Sequence, residues 1–204
     1  MAATRRLLIT LGLAALLPLG PLALSACDAA KPSAYKAIDI TGAEYAQDLL
    51  LPDTDGRVRH MAEFKGKLVV VFFGFTQCPD VCPTTMLELA EVKKAMGADG
   101  EKVQGVFVSI DPERDTPEVL KAYITNFSPD FIALRGSLEE TKAIAKRFKV
   151  FYAKVPGKTE GSYTMDHTAG SYVFDTQGKV RLFTRYGTGA EALKHDLQLL
   201  LKQG

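Results

Sequence analysis

One segment organises this sequence, and it reads Phe72-Phe73-Gly74-Phe75-Thr76-Gln77-Cys78-Pro79-Asp80-Val81-Cys82-Pro83-Thr84. The apolar run 68–73 leads into it and is rich in β-branched and aromatic residues, which predicts a strand covered on both faces. From Pro83 onward apolar side chains recur at three- and four-residue steps, which predicts a helix ending near Gly97. Cys78 and Cys82 therefore lie where a buried strand passes into a helix.

Each of the two cysteines precedes a proline, and the residue before a proline is disfavoured in the α region. We therefore expect both cysteines in the turn, with Pro83 at the first helical position and Cys82 at about the N-cap. Unpaired N–H groups and the helix dipole at that point favour a thiolate. Metal binding and disulfide exchange both require the thiolate form.

Composition sets limits on the class of protein. The chain has 204 residues, 47% of them hydrophobic, and a formal net charge of +1. This length predicts one domain with a short extension. The near-neutral charge and the lack of a basic run argue against a nucleic-acid partner.

Residues 1–26 predict a lipoprotein signal peptide. Arg5 and Arg6 give the leader a positive start, and glycines and prolines interrupt its apolar run at 7–24. These helix breakers argue against the alternative, a transmembrane anchor.

The end of the leader, Leu24-Ser25-Ala26-Cys27, resembles a bacterial lipoprotein box, in which Cys27 carries the lipid after cleavage. Asp28 follows, and in lipoproteins of this kind an aspartate there tends to mean retention at the inner membrane. Small and polar residues then predict a flexible tether over 27–44. The resemblance implies a protein of the bacterial cell envelope, lipid-anchored to the outer (periplasmic) face of the inner membrane.

The remaining residues, 45–204, predict a single α/β domain. Thr116 and Ser137 are N-cap candidates for two further helices. The other expected elements are a hairpin of 48–51 with 57–60, strands 103–110 and 131–134, a hairpin of 169–175 with 179–184, and a closing helix 190–202. This order predicts a thioredoxin-like sheet flanked by helices on both faces, with an N-terminal β-hairpin extension.

His167 lies just before the last predicted hairpin, in a loop that faces the cysteine turn in a thioredoxin-like fold. Two thiolates and one imidazole would then converge at the carboxyl ends of the strands. Sulfur ligands select soft metals, and Cu(I) accepts three-coordinate geometry. Asp166 or a backbone carbonyl could orient the imidazole. The other histidines, His60 and His195, are expected to be structural or solvated.

Three segments together resemble the SCO/SenC copper proteins: 73–84, 111–117 (Asp-Pro-Glu-Arg-Asp-Thr-Pro) and the pair Asp166-His167. The resemblance covers about residues 45–203. It implies a thioredoxin-like fold and a site for copper, as Cu(I) or Cu(II), made by Cys78, Cys82 and His167. It also implies a supporting role for Asp111. Gln77 stands where many members carry another residue, commonly histidine.

The same resemblance implies a function and partners. The expected function is that of a membrane-tethered metallochaperone, which delivers copper to the dinuclear copper centre of cytochrome c oxidase. The expected partners are the copper-receiving subunit of that oxidase, and also other periplasmic copper carriers or thiol reductants. We expect the segment that holds His167 to move more than the cysteine turn, because ligand exchange requires access.

The main alternative is an extracytoplasmic thiol–disulfide oxidoreductase that keeps the oxidase cysteines reduced, with Cys78 and Cys82 as the catalytic redox pair. Thioredoxins place two residues between their cysteines, whereas this chain places three. They also carry a cis-proline opposite the pair, where 166–169 offers none. Both roles can coexist, because metal binding needs the reduced pair.

Three other functions fit less well. A peroxiredoxin needs a threonine three residues before its reactive cysteine, and positions 75 and 79 are Phe and Pro. A structural zinc site prefers four protein ligands, and only three candidates are present. A purely structural disulfide would close a very short loop and so stabilise little.

Overall fold

The computed structural model describes residues 34–203, and the predicted signal peptide and Cys27 lie outside them. The elements in chain order are β1 (Ile38–Asp39), β2 (Leu51–Pro52), β3 (Val58–Arg59), β4 (Leu68–Gly74), α1 (Val81–Ala95), β5 (Val103–Ser109), α2 (Pro117–Thr125), β6 (Ile132–Leu134), α3 (Leu138–Phe148), β7 (Tyr152–Pro156), β8 (Tyr163–His167), β9 (Gly170–Phe174), β10 (Val180–Arg185) and α4 (Ala190–Leu201). Short 3₁₀ helices span Met61–Phe64 and Gly97–Lys102.

A six-stranded sheet with the order β1-β10-β9-β4-β5-β6 forms the centre of the domain. Strand β4 pairs in parallel with β5 and antiparallel with β9. All seven residues of β4 and of β5 are buried, as expected for strands with both faces covered. The sequence patterns therefore placed the two central strands correctly.

Alternate residues of β4 pack against different helices. Phe73 stacks on Phe148 of α3, with ring centroids 5.1 Å apart. Phe72 points to the other face, where it lines a small cavity together with Met86 of α1 and Leu193 of α4. Because successive side chains of a strand point to opposite faces, helices cover both sides of the sheet. The predicted α/β sheet flanked by helices on both faces is confirmed.

The helix after the cysteine turn begins two residues earlier than the sequence indicated. Asp80 is the N-cap, and Val81 is the first helical residue. Cys82 therefore lies within the first turn, and the expectation that it is the N-cap was wrong. The first helical hydrogen bond runs from the Thr84 N–H to the Asp80 carbonyl, at 3.1 Å. N–H groups of a first turn have no helical acceptor, so Pro83 is tolerated at the third position.

The folded part also begins before residue 45. The predicted tether covers 27–44, but Ile38–Asp39 pairs with β10. Asp196 of α4 is 1% exposed, and its carboxylate accepts hydrogen bonds from the backbone N–H groups of Lys36 and Ala37. A buried carboxylate needs such donors, which ties the segment 36–39 to the domain.

Two hairpins lie outside the six-stranded sheet. β2 and β3 form the predicted N-terminal hairpin, although each strand has only two residues. β7 and β8 form a second hairpin, which pairs Tyr152 with His167 and Pro156 with Tyr163. The sequence indicated a loop over 163–170, whereas the structure places His167 at the end of a strand. Within residues 34–203, no helix is both long and apolar enough to cross a bilayer.

Replacement of Asp196 by alanine should release the N-terminal segment. The N–H groups of Lys36 and Ala37 lose their acceptor, so the free energy of unfolding should fall by about 1–3 kcal/mol. Hydrogen exchange of residues 36–40 should speed up more than that of β4. Glu191→Ala is the matched control, because this acid of α4 has a 91% exposed side chain. Unchanged exchange over 36–40 in Asp196→Ala would contradict this account.

Candidate metal centre

The three predicted ligands come together at one end of the central sheet. Cys78 lies in the turn after β4, Cys82 in the first turn of α1, and His167 at the end of β8. The sulfur of Cys82 is 3.7 Å from Nε2 of His167, although the two residues are 85 positions apart in the chain. The structure therefore brings two of the three predicted ligands, Cys82 and His167, into contact.

The 3.7 Å separation suits two donors that share one metal ion. Metal–sulfur and metal–nitrogen bonds of about 2.3 and 2.0 Å, at an angle near 120°, place the two donors about 3.7 Å apart. The Cys78 sulfur accepts a hydrogen bond from the Cys82 N–H, at 3.3 Å. No three His, Cys, Asp or Glu side chains within 34–203 are already grouped as a complete ligand set.

The imidazole of His167 is held with Nε2 facing the sulfur. Its Nδ1 lies 3.1 Å from the Thr168 carbonyl, so Nδ1–H can donate there and leave the Nε2 lone pair free. The rings of Phe72 and Phe75 lie edge-on, each with its centroid 6.0 Å from the imidazole. Burial among these groups lowers the pKa of His167. The neutral imidazole, which is the form that binds metals, is thus favoured.

The environment of Cys82 differs from the expected one. Its side chain is fully buried, and this burial raises the pKa of the Cys82 thiol. The helix N-terminus was expected to favour a thiolate, but loss of hydration outweighs that effect. In the metal-free protein Cys82 is therefore a neutral thiol, whose proton a soft cation would displace. Cys78 is only half-buried and is the sulfur that solvent and partners can reach.

Gly74 makes room for the Cys82 sulfur. A Cβ atom at position 74 would lie 2.9 Å from the Cys82 sulfur and 2.9 Å from the ring of Phe107. Such distances are too short for any side chain, so the end of β4 requires glycine.

The two predicted supporting residues differ in their surroundings. Asp111 is buried, and its carboxylate accepts hydrogen bonds from Arg114 Nε and, at 2.9 Å, from the Tyr163 hydroxyl. Asp111 therefore contacts the strand that carries His167 rather than the sulfurs. Asp166 is exposed. We expected either Asp166 or a backbone carbonyl to orient the imidazole, and the group that lies next to it is the Thr168 carbonyl.

Asp115 is a residue that the sequence reasoning missed. Its buried carboxylate accepts hydrogen bonds from the Thr76 hydroxyl and the Ser109 hydroxyl, each at 2.6 Å, and also from the Thr76 N–H. Burial raises the pKa of Asp115. These bonds tie the cysteine turn to the end of β5. Thr76 and Asp115 each follow one of two neighbouring parallel strands. Their location after these strands is the one sequence signal that indicated a contact between Thr76 and Asp115.

The other two histidines lie on the surface, as expected. The ring of His60 is 47% exposed and pairs with Asp48 at 3.2 Å. The ring of His195 is 48% exposed and pairs with Asp196 at 2.9 Å. Neither belongs to the cysteine site.

Comparison with known proteins identifies the family. Residues 39–202 match the SCO1/SenC family profile, which is most of the chain. The chain belongs to the SCO1/SenC family. A relative from Rickettsia felis, an SCO2-like protein, is 41% identical over 133 residues, which cover 65% of each chain. The SCO1/SenC chain thus spans slightly less than two thirds of that relative.

Two solved structures illustrate the likeness. ScoI of Bradyrhizobium japonicum with copper bound is 40% identical, with a TM-score of 0.67, over 75% of this chain and 97% of that one. BsSco is described as a member of the Sco family of cytochrome c oxidase assembly proteins that has a disulfide switch. It is 22% identical, with a TM-score of 0.61, over 82% of this chain and 99% of its own, and this likeness concerns the fold alone.

Gly74→Ala should disturb both the core and the site. Overpacking against Cys82 and Phe107 should lower the free energy of unfolding by about 1–3 kcal/mol and speed alkylation of Cys82. Gly66→Ala is the control, because Gly66 has a φ of +88° but nothing within 4 Å of an added Cβ. It should lose stability through backbone strain alone and leave Cys82 alkylation unchanged. Equal alkylation rates in the two variants would contradict the packing argument.

The free energy of unfolding should depend on pH through the protonation of His167. Burial lowers its pKa in the folded state below the ordinary value of 6.5, so the unfolded chain binds the proton more tightly. Stability linked to His167 is therefore complete above 6.5 and is lost as the pH falls below it. Urea unfolding of the reduced, metal-free protein at several pH values should show this slope, and His167→Gln should flatten it. An unchanged slope in His167→Gln would refute the assignment.

Proposed function

We propose that this domain binds one copper ion through Cys78, Cys82 and His167 and passes it by ligand exchange to the copper-receiving subunit of cytochrome c oxidase. The observation that carries the proposal is the 3.7 Å contact between the Cys82 sulfur and His167 Nε2. Membership of the SCO1/SenC family supports it. The copper-bound structure of the Bradyrhizobium japonicum protein supports copper as the cargo.

The donor set fits a soft, low-coordinate cation. Two sulfurs and one imidazole match the ligand preference of Cu(I). The same three ligands are also compatible with Cu(II), because the imidazole supplies a nitrogen donor. The aromatic wall of Phe72 and Phe75 keeps water from the His167 side. A partner's thiolate would therefore approach from the half-buried Cys78 side and replace that sulfur first.

We also propose that the domain works at a membrane surface. Residues 1–26 would act as a lipoprotein signal peptide, and Cys27 would carry the lipid. The chain from 28 to about 33 would then form the tether, because the Tyr35 hydroxyl is bonded to Gln203 and the N–H groups of Lys36 and Ala37 are bonded to Asp196. This arrangement would hold the copper site close to the periplasmic face of the inner membrane.

A second candidate is reduction of a partner disulfide. It is favoured by the two free cysteines, because the Cys78 sulfur already lies 3.3 Å from the Cys82 backbone nitrogen. The Cys78 thiolate would attack the partner's disulfide, and Cys82 would then lose its proton and resolve the mixed disulfide. The partner would gain two electrons, and the Cys78–Cys82 disulfide would need a thiol reductant. Against this role, 166–169 contains no proline, where thioredoxins place one opposite their cysteines.

Copper titration of the reduced domain tests the main proposal. The wild-type protein should bind one Cu(I) per chain, measured by competition with a chromogenic Cu(I) chelator. His167→Ala should weaken binding at least ~10-fold, which corresponds to about 1.4 kcal/mol. His60→Ala is the matched control and should bind like the wild type. An unchanged affinity and stoichiometry in His167→Ala would remove the metal role of this residue.

The same variant separates the two candidates. His167→Ala keeps both thiols, so it should retain any reductase activity towards an oxidised, copper-free oxidase subunit. It should lose copper transfer to the reduced subunit. If His167→Ala still supports full metallation of the oxidase in cells while Cys78→Ser does not, thiol reduction is the function of the pair.

A further inference from the structure

The hairpin of β7 and β8 carries His167, yet neither strand is paired with the six-stranded sheet. At its base the Thr168 N–H donates to the Phe151 carbonyl, and the Phe151 N–H donates to the Thr168 hydroxyl. The loop 157–162 forms its far end. Besides its connection to β9 and the buried Met165, side-chain contacts therefore help to fix the position of the hairpin.

Arg114 contacts Tyr163 of the hairpin twice. Its Nη1 donates to the Tyr163 carbonyl at 2.8 Å and to Gln77 Oε1 at 3.0 Å, and its Nε donates to Asp111. The guanidinium carbon lies 3.7 Å from the centroid of the Tyr163 ring. One side chain thus joins β8, the turn residue next to Cys78, and the loop that follows β5.

Two further contacts act in the same direction. The Tyr163 hydroxyl donates to Asp111 at 2.9 Å, so Asp111 is bonded to both Arg114 and Tyr163. Lys154 of β7 forms an ion pair with Glu113, and its ammonium lies 4.6 Å from the Tyr163 ring centroid. In the register Tyr163 pairs with Pro156 at the far end of the hairpin, whereas Lys154 pairs with Met165 in its middle.

The arrangement is specific to a planar guanidinium. Nε and Nη1 point to different acceptors while the flat face stacks on an aromatic ring, and an ammonium group cannot do both. The side chain of Arg114 is 20% exposed, and its Nη2 is buried with no hydrogen-bond partner among the described residues. A buried, unpaired donor costs stability, so the position of this arginine is not explained by stability alone.

We propose that Arg114 is a positioning residue, which holds the β7–β8 hairpin against the cysteine turn and so sets the distance between His167 and Cys82. The inference rests on the proposed copper site. In this chain Arg114 is held to the turn beside Cys78 by the hydrogen bond that it donates to Gln77. Loss of Arg114 frees the hairpin, and copper then keeps the two sulfurs but loses the nitrogen donor.

The test combines Arg114→Met with His167→Ala and measures Cu(I) affinity by competition. Arg114→Met alone should weaken binding about 10-fold, the lower end of the effect of losing a group that orients a ligand. In the His167→Ala background it should cause no further loss, because the nitrogen donor is already gone. Arg114→Lys should not restore affinity. Lys121→Met, which removes an exposed cation of α2 paired with Asp55, is the control and should bind like the wild type.

A second measurement does not depend on copper. Hydrogen exchange over 152–156 and 163–167 of the reduced, metal-free protein should be faster in Arg114→Met than in the wild type and the control. Exchange in β4 should be unchanged. If Arg114→Met does not fold, Gln77→Ala replaces it, because Gln77 is exposed. It should weaken Cu(I) binding about 3-fold, again only when His167 is present.

The outcomes separate this inference from the proposed function. Wild-type affinity in Arg114→Met, or losses that add in the double variant, would overturn the positioning role while the copper site stands. A His167→Ala variant that binds copper normally would overturn the copper site as proposed. Hydrogen exchange of the hairpin would then decide alone whether Arg114 holds it, and unchanged exchange would overturn that as well.

Discussion

Burial of β4 on both faces and along both edges is the constraint on which the rest of the structure depends. The strand is bonded to β5 and β9, and its side chains fill the core on each side. It ends at Gly74, where only hydrogen can face the Cys82 sulfur and the Phe107 ring. The position of the cysteine turn therefore follows from the packing of the sheet. The core holds the start of this turn in place.

The chemistry of the site is governed by competition between hydration and local charge. A helix N-terminus stabilises a thiolate by a modest amount, whereas full burial of a sulfur penalises its charged form more strongly. At Cys82 burial dominates and the thiol stays neutral, while at His167 the same burial keeps the imidazole neutral. Such a site suits the binding of a soft cation, whose positive charge compensates the charge of the thiolates. It suits the reactions of a free thiolate less well.

Much of the fold could be predicted from the sequence, because the positions of strands and helices depend on local sequence patterns. The apolar runs identified β4 and β5, and the capping box at Ser137 and Glu140 fixed the start of α3. The helix start near Cys82 was misplaced by two residues, because proline is compatible with several positions in a first turn. The segment at β1 was read as a tether, since two residues of strand leave no periodic signal.

The sequence by itself determined the chemical identity of the candidate ligands and the order of the helices and the central strands, because residue type and periodicity are local properties. Only the tertiary structure decided what surrounds those ligands. The contact of Cys82 with His167, the burial of Asp115 and the bonds from Arg114 to Gln77 and Tyr163 join distant segments. Such contacts, and the pKa shifts that burial causes, depend on how the whole chain packs.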